Sequence, residues 1–172
     1  FERLQAGRTL ILCDAGGPPP HEFESEAHAG VLSFEMSVGK ERLVVNCGRR
    51  PTVDPGWLIA QKSTAAHSVL CVEDTNSSAI SSDGLGFENR RAAATAERNE
   101  SDGAVWLDMG HDGYWKPFGL LYRRRLYLGA DGLDLRGEDQ LDGPAGRAYA
   151  VRFHLHPKVA VSLLGSKTAA LL

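Results

Sequence analysis

Leu32, Phe34 and Met36 alternate with Ser33, Glu35 and Ser37 up to Gly39-Lys40, and Arg42-Leu43-Val44-Val45-Asn46-Cys47 then resumes as a nearly continuous apolar run. A period of two sends successive side chains to opposite faces of a strand, so the first segment reads as a strand with one buried face. The second, apolar on both faces, reads as an inner strand. If the two pair symmetrically about the Gly39-Lys40 turn, they form a hairpin whose open end sets His28, just outside the first strand, beside Asn46.

The same grammar runs through the chain. Thr9-Leu10-Ile11-Leu12-Cys13 is a β-type run stopped by the Gly and Pro punctuation of residues 16–20, and Ser68 to Glu73 is another. Gly48 to Gly56 reads as a loop, Trp57 to Gln61 as a short helical turn or something less regular, and Asp74 to Gly86 as a long surface loop. Arg91 to Arg98 suits a helix by propensity and a strand by context. Ala104 to Met109 opens a second strand series, continued by Gly119 to Leu128, the hairpin turn Gly129-Ala130-Asp131-Gly132, and a return strand over 133–139. Tyr149, Val151, Phe153 and Leu155 alternate with Ala150, Arg152, His154 and His156 until Pro157, the cleanest period-two segment of all. Short strands, Gly-rich turns and no sustained helical period predict an all-β fold, an antiparallel β-sandwich of jelly-roll-like or super-sandwich-like build.

The 172 residues suffice for one core. A net charge of −3 and a pI near 6.1 argue against a surface built throughout for nucleic acid or an anionic membrane. No apolar run reaches the length of a membrane-spanning helix, and the start does not look like a signal peptide. The chain opens on Phe1 and stops on the apolar Ala169-Ala170-Leu171-Leu172, which reads as a strand cut short. Residues 1–172 are thus expected to be a single domain, truncated at both ends, from a larger α+β multidomain protein. Cys13, Cys47 and Cys71 lack zinc-ribbon spacing and read as three buried thiols.

His28 and His67 both stand at strand lips, where a sandwich gathers side chains from distant parts of the chain. Together with a third oxygen ligand they could hold zinc and leave a position for water, or they could form a hydrogen-bonded structural pair. His154 and His156 share a predicted sheet face with Arg152, suited to a metal, an anionic sugar or plain solvent. Of Arg123-Arg124-Arg125, two side chains project to one face and one to the other, and with Arg136 and Arg152 they could contact acidic polysaccharide, because Arg binds carboxylates bidentately. His111 to Trp115 places aromatic rings near a turn, for sugar stacking or for packing. Neither a phosphate loop nor a serine nucleophile elbow is present.

Glu26-Ala27-His28-Ala29-Gly30-Val31-Leu32-Ser33-Phe34, followed by Asn46-Cys47-Gly48 and Ala66-His67-Ser68-Val69, resembles the C-terminal β domain of the heparinase II/III-like polysaccharide lyases. Their pattern is His-x-His-x-Asp-x-x-Ser-Phe, a hairpin, Asp-x-Gly, and then Ala-His-(Asn/Ser)-(Thr/Val). His111-Asp112-Gly113-Tyr114 and the arginine run are also similar to this family, especially its bacterial members of unassigned substrate. The resemblance implies a β-sandwich capping an N-terminal helical toroid, with β-elimination at a uronic acid of an anionic polysaccharide such as a glycosaminoglycan. In that reaction a group neutralises the carboxylate, a base takes the C5 proton and an acid assists the departing O4. The resemblance further implies a zinc held by His28, Asn46 and His67, a cleft position at Glu26 and a periplasmic or cell-envelope setting, while the substrate contacts expected at Arg124, His154 and His156 come from the residues themselves.

Three positions depart from the pattern. Asn46 replaces the anionic ligand Asp, Glu26 replaces a cleft His and would repel a uronate, and Gly30 replaces an Asp. With the toroid outside these residues, they are expected to show no lyase activity alone. The alternative is a non-catalytic carbohydrate-binding or structural module, and a third reading is a self-contained metal-dependent jelly-roll enzyme.

Overall fold

A computed structural model describes residues 1–163 and 170–171. Strands β1 (Glu2–Ala6), β2 (Thr9–Cys13), β3 (Phe34–Val38) and β4 (Glu41–Val45) follow one another as antiparallel neighbours. The Gly39-Lys40 turn pairs Val38 with Glu41 and Ser37 with Arg42, and Gly39 adopts φ +61°, a conformation glycine takes without a Cβ penalty. A register shift between Met36 and Ser37 then aligns Met36 with Val44. The helix α1 (Pro55–Lys62) starts where Asp54 accepts a hydrogen bond from Gly56 N at 2.8 Å and Pro55 supplies the first-turn φ. A 3-10 turn at Thr64–Ala66 leads into the short strand β5 (Leu70–Val72).

The second series is a four-stranded antiparallel meander of β6 (Ala94–Ser101), β7 (Ala104–His111), β8 (Leu121–Leu128) and β9 (Leu135–Asp142), with the single helical turn α2 (Trp115–Phe118) between β7 and β8. Within the Arg91–Arg98 segment the chain is strand from Ala94 onward, because its pairing with β7 runs from Ala94↔His111 to Ser101↔Ala104. Buried Val105, Leu107 and Met109 of β7 and Tyr122, Leu126 and Leu128 of β8 pack in one core with Leu4, Ile11, Phe34 and Val44 of the first sheet. The result is the expected antiparallel sandwich.

Three local expectations change. Tyr149 to Leu155 is not one strand: β10 (Tyr149–Val151) pairs with β5, Arg152 N bonds Val69 O at 3.1 Å, and β11 (His154–Leu155) pairs with β4 as the fifth strand of the first sheet. Its alternation does not bury the apolar side, and Tyr149, Val151 and Phe153 are exposed. The 74–86 segment is not wholly superficial, since Ser77 and Ser78 are buried. Cys13 and Cys71 are buried as expected, whereas Cys47, just past the end of β4, is exposed. Near the C-terminus β12 (Ser162–Leu163) pairs with β13 (Ala170–Leu171), and Ala169 and Leu172 lie outside the described residues. No helix among the described residues is long and apolar enough to cross a membrane.

Candidate functional site

The open end of the β3–β4 hairpin is where distant segments converge. His28 comes from the stretch before β3, Asn46 from the end of β4 and His67 from the end of the 3-10 turn that follows α1. All three line one groove of about 680 Å³, together with Glu26, Phe23 and Pro19. His154, His156 and Arg124 do not line it.

Within the groove the two imidazoles meet directly. His28 Nδ1 lies 3.1 Å from His67 Nε2, with the rings edge to face at 81°. Ser63 O lies 2.7 Å from His67 Nδ1, and a carbonyl oxygen only accepts, so Nδ1 carries the hydrogen and Nε2 is the acceptor. His28 Nδ1–H is then the donor. Both rings are held neutral: burial pushes His67 down to about 4, and burial, followed by the nearby charge of Lys62, lowers His28.

Gly30 explains how the rings come so close. A Cβ on residue 30 would stand 2.5 Å from His67 Cδ2, so the His67 ring occupies the space in which a side chain at position 30 would begin. Lys62 is buried behind this arrangement, its Nζ donating to Ser25 O at 2.6 Å and Gly84 O at 2.7 Å. Sequence reading missed Lys62 because its partners are backbone carbonyls, which leave no trace in residue spacing.

His28, His67 and Asn46 offer two imidazole nitrogens and a neutral amide oxygen, a set without an anionic zinc ligand. Asn46 Oδ1 accepts from Ser68 N at 2.8 Å, and its Nδ2 lies 3.5 Å from Ser33 Oγ, so the neutral oxygen already closes the hairpin onto the segment after His67. Among the described residues no third His, Cys or carboxylate gathers with the pair. The charge of Lys62 also opposes another cation beside His28.

The remaining candidates have other partners. Glu26 is exposed and ion-paired with Arg49. His154 is half-buried, its Nε2 2.9 Å from Ala65 O and its Nδ1 3.7 Å from Cys47 Sγ. His156 Nε2 faces Arg42 at 3.2 Å. Arg124 departs furthest from a substrate contact, at 2 % exposure. Its Nε and Nη2 engage both oxygens of Asp139 at 2.7 and 3.0 Å, and Nη1 reaches Leu32 O and Ser68 O at 3.1 and 2.8 Å. The alternation along β8 that exposes Arg123 and Arg125 points Arg124 into the core, where it ties the four-stranded sheet to the segments that precede β3 and β5.

"FtsZ-localized protein C" from Caulobacter vibrioides is 33% identical over 180 residues, an alignment covering 95% of this chain and 31% of that protein. The chain thus spans about a third of the length of the curated relative it matches. No solved structure matches it. The sequence profile of the heparinase II/III-like C-terminal family covers residues 1–172, and the chain belongs to that family.

Proposed function

We propose that this domain is a polysaccharide-lyase-related β-sandwich that serves as a non-catalytic binding or structural module of a longer protein. The observation that carries this reading is the hydrogen bond between His28 and His67, made while Asn46 spends its oxygen on Ser68 N. On this reading the two imidazoles pin the hairpin to the segment after α1 rather than hold a metal. The FtsZ-localized relative supports the reading, because its name records where a protein is placed and not a reaction.

A second reading, the lyase itself, is favoured by one specific feature. His28 Nε2 makes no hydrogen bond among the described residues and belongs to the groove that Glu26 also lines, and Arg49 offsets the Glu26 charge that would repel a uronate. On that reading His28 Nε2 takes the C5 proton, the C–H electron pair forms the C4=C5 double bond as the bond to O4 breaks, and a toroid supplies the opposite wall of the cleft and the acid that protonates O4.

The test is an assay of the protein, within the longest chain that carries it, on a panel of uronic-acid polymers, following the absorbance of unsaturated uronate. The non-catalytic reading expects no signal on any polymer. Turnover abolished by His28→Ala would replace it with the lyase.

A further inference from the structure

The outer face of the four-stranded sheet carries side chains that neither the core nor the groove uses. Its strand register aligns them in rows across the strands: Asn99, Trp106, Tyr127 and Arg136 in one, Glu97, Asp108, Arg125 and Glu138 in the next, and Thr95, Gly110, Arg123 and Gln140 in a third. Val105, Leu107 and Met109, which alternate with Trp106, Asp108 and Gly110, are buried, so this set points away from the core.

We propose that this face binds a neutral glycan. Trp106 and Tyr127 stand 4.9 Å apart between ring centroids, tilted at 51°, an aromatic step for the C–H side of a sugar ring, and the Arg136 guanidinium lies 5.6 Å over the Tyr127 ring, which leaves the Trp106 face for stacking. Beside it runs a trough of about 370 Å³ lined by Thr95, Gly110, Arg123, Arg125, Glu138 and Gln140. Gly110 forms its floor, where a Cβ would come within 3.3 Å of Thr95 Oγ1. Guanidinium, carboxylate and amide groups, each with paired donors or acceptors, match the vicinal hydroxyls of a pyranose. Neighbouring strands stand about 4.8 Å apart, close to the length of one sugar ring, so successive side chains within a row meet successive parts of an oligosaccharide.

Charge selects among glycans. Arg125 pairs with Asp108 and with Glu138, and Arg123 pairs with Asp142. Glu97, Asp108, Glu138 and Asp142 stand against Arg123, Arg125 and Arg136, so the face has no positive excess to attract a polyanion. The face shares no lining residue with the His28 groove, and the proposal stands whichever reading of that groove holds.

The test is calorimetric titration of the protein with cellohexaose and with the hexamer of N-acetylglucosamine, with heparin and polygalacturonate as anionic probes. Binding of a neutral hexamer is expected, weakened about tenfold by Trp106→Ala. Arg123→Ala, at an exposed position whose only ion-pair partner among the described residues is Asp142, is expected to weaken it while leaving the unfolding midpoint in place, which covers the case in which Trp106→Ala fails to fold. The proposal is overturned if no neutral hexamer binds, if only the anionic probes bind, or if both variants bind like the parent. Sedimentation showing a dimer that Trp106→Ala disperses would give the face to a second copy of the chain and overturn it equally.

Discussion

His28 donates its Nδ1 hydrogen to His67 Nε2 across 3.1 Å, and His67 in turn donates from Nδ1 to the carbonyl of Ser63. Each imidazole in this relay is neutral, so the link depends on pH. A folded His67 near 4 compares with an ordinary histidine near 6.5. Above 6.5 both folded and unfolded chains leave this ring neutral and it contributes no pH dependence. Between 6.5 and 4 the unfolded chain takes up a proton that the folded chain refuses, so stability falls as the pH falls. The full loss from His67 is about 3 kcal/mol. His111, buried and pushed down to about 3, acts in the same direction. Urea unfolding at pH 7.5 and at pH 4.5 is expected to show a clear loss of stability at the lower value.

Gly30→Ala places a Cβ 2.5 Å from His67 Cδ2 in a buried site. The ring is held by two hydrogen bonds and cannot swing aside freely, so a loss of about 1–3 kcal/mol is expected. Removing the ring relieves the collision. The double variant Gly30→Ala, His67→Ala should therefore be less destabilised than the sum of its two single variants, a coupling that a double-mutant cycle measures directly.

Asp139→Ala strips the carboxylate from a guanidinium with 2 % exposure. Arg124 stays charged in the core and retains only the carbonyls of Leu32 and Ser68. Breaking one side of such a pair costs about 3–5 kcal/mol. Thermal unfolding of this variant is expected to show one of the largest losses of any single surface-to-interior substitution in the molecule.

Much of the fold could be read from the residues because its determinants are local. The alternation around Phe34–Met36, the Gly39 turn, and the Gly129–Gly132 turn all act over a few positions, and the structure pairs those strands accordingly, although β3 starts at Phe34 and leaves Leu32 in the preceding turn. Tyr149–Leu155 shows the limit of such reading. Its alternation is perfect, yet the segment is shared between two sheets and its apolar side is exposed, because the partners β5 and β4 lie far away in sequence. The site follows the same division. That His28 would lie beside Asn46 was legible from their strand-end positions, and the family resemblance added His67 to the set. Their bonding was not, since it depends on Ser63 O, Ser68 N and Lys62, contacts that become visible only once backbone atoms have positions.

Asn46→Asp changes one atom type at the hinge of this arrangement and supplies the missing anionic donor. The carboxylate can keep the bond from Ser68 N, so the variant is expected to fold and to bind zinc more tightly than the parent. Competition against a fluorescent chelator reads the difference.

The most direct test is zinc titration of the unaltered protein at neutral pH, followed by metal analysis after dialysis. With His28 and His67 bonded to each other, no stoichiometric zinc is retained and the unfolding midpoint does not move with added metal. One equivalent of zinc, held through dialysis and lost in both His28→Ala and His67→Ala, would contradict it.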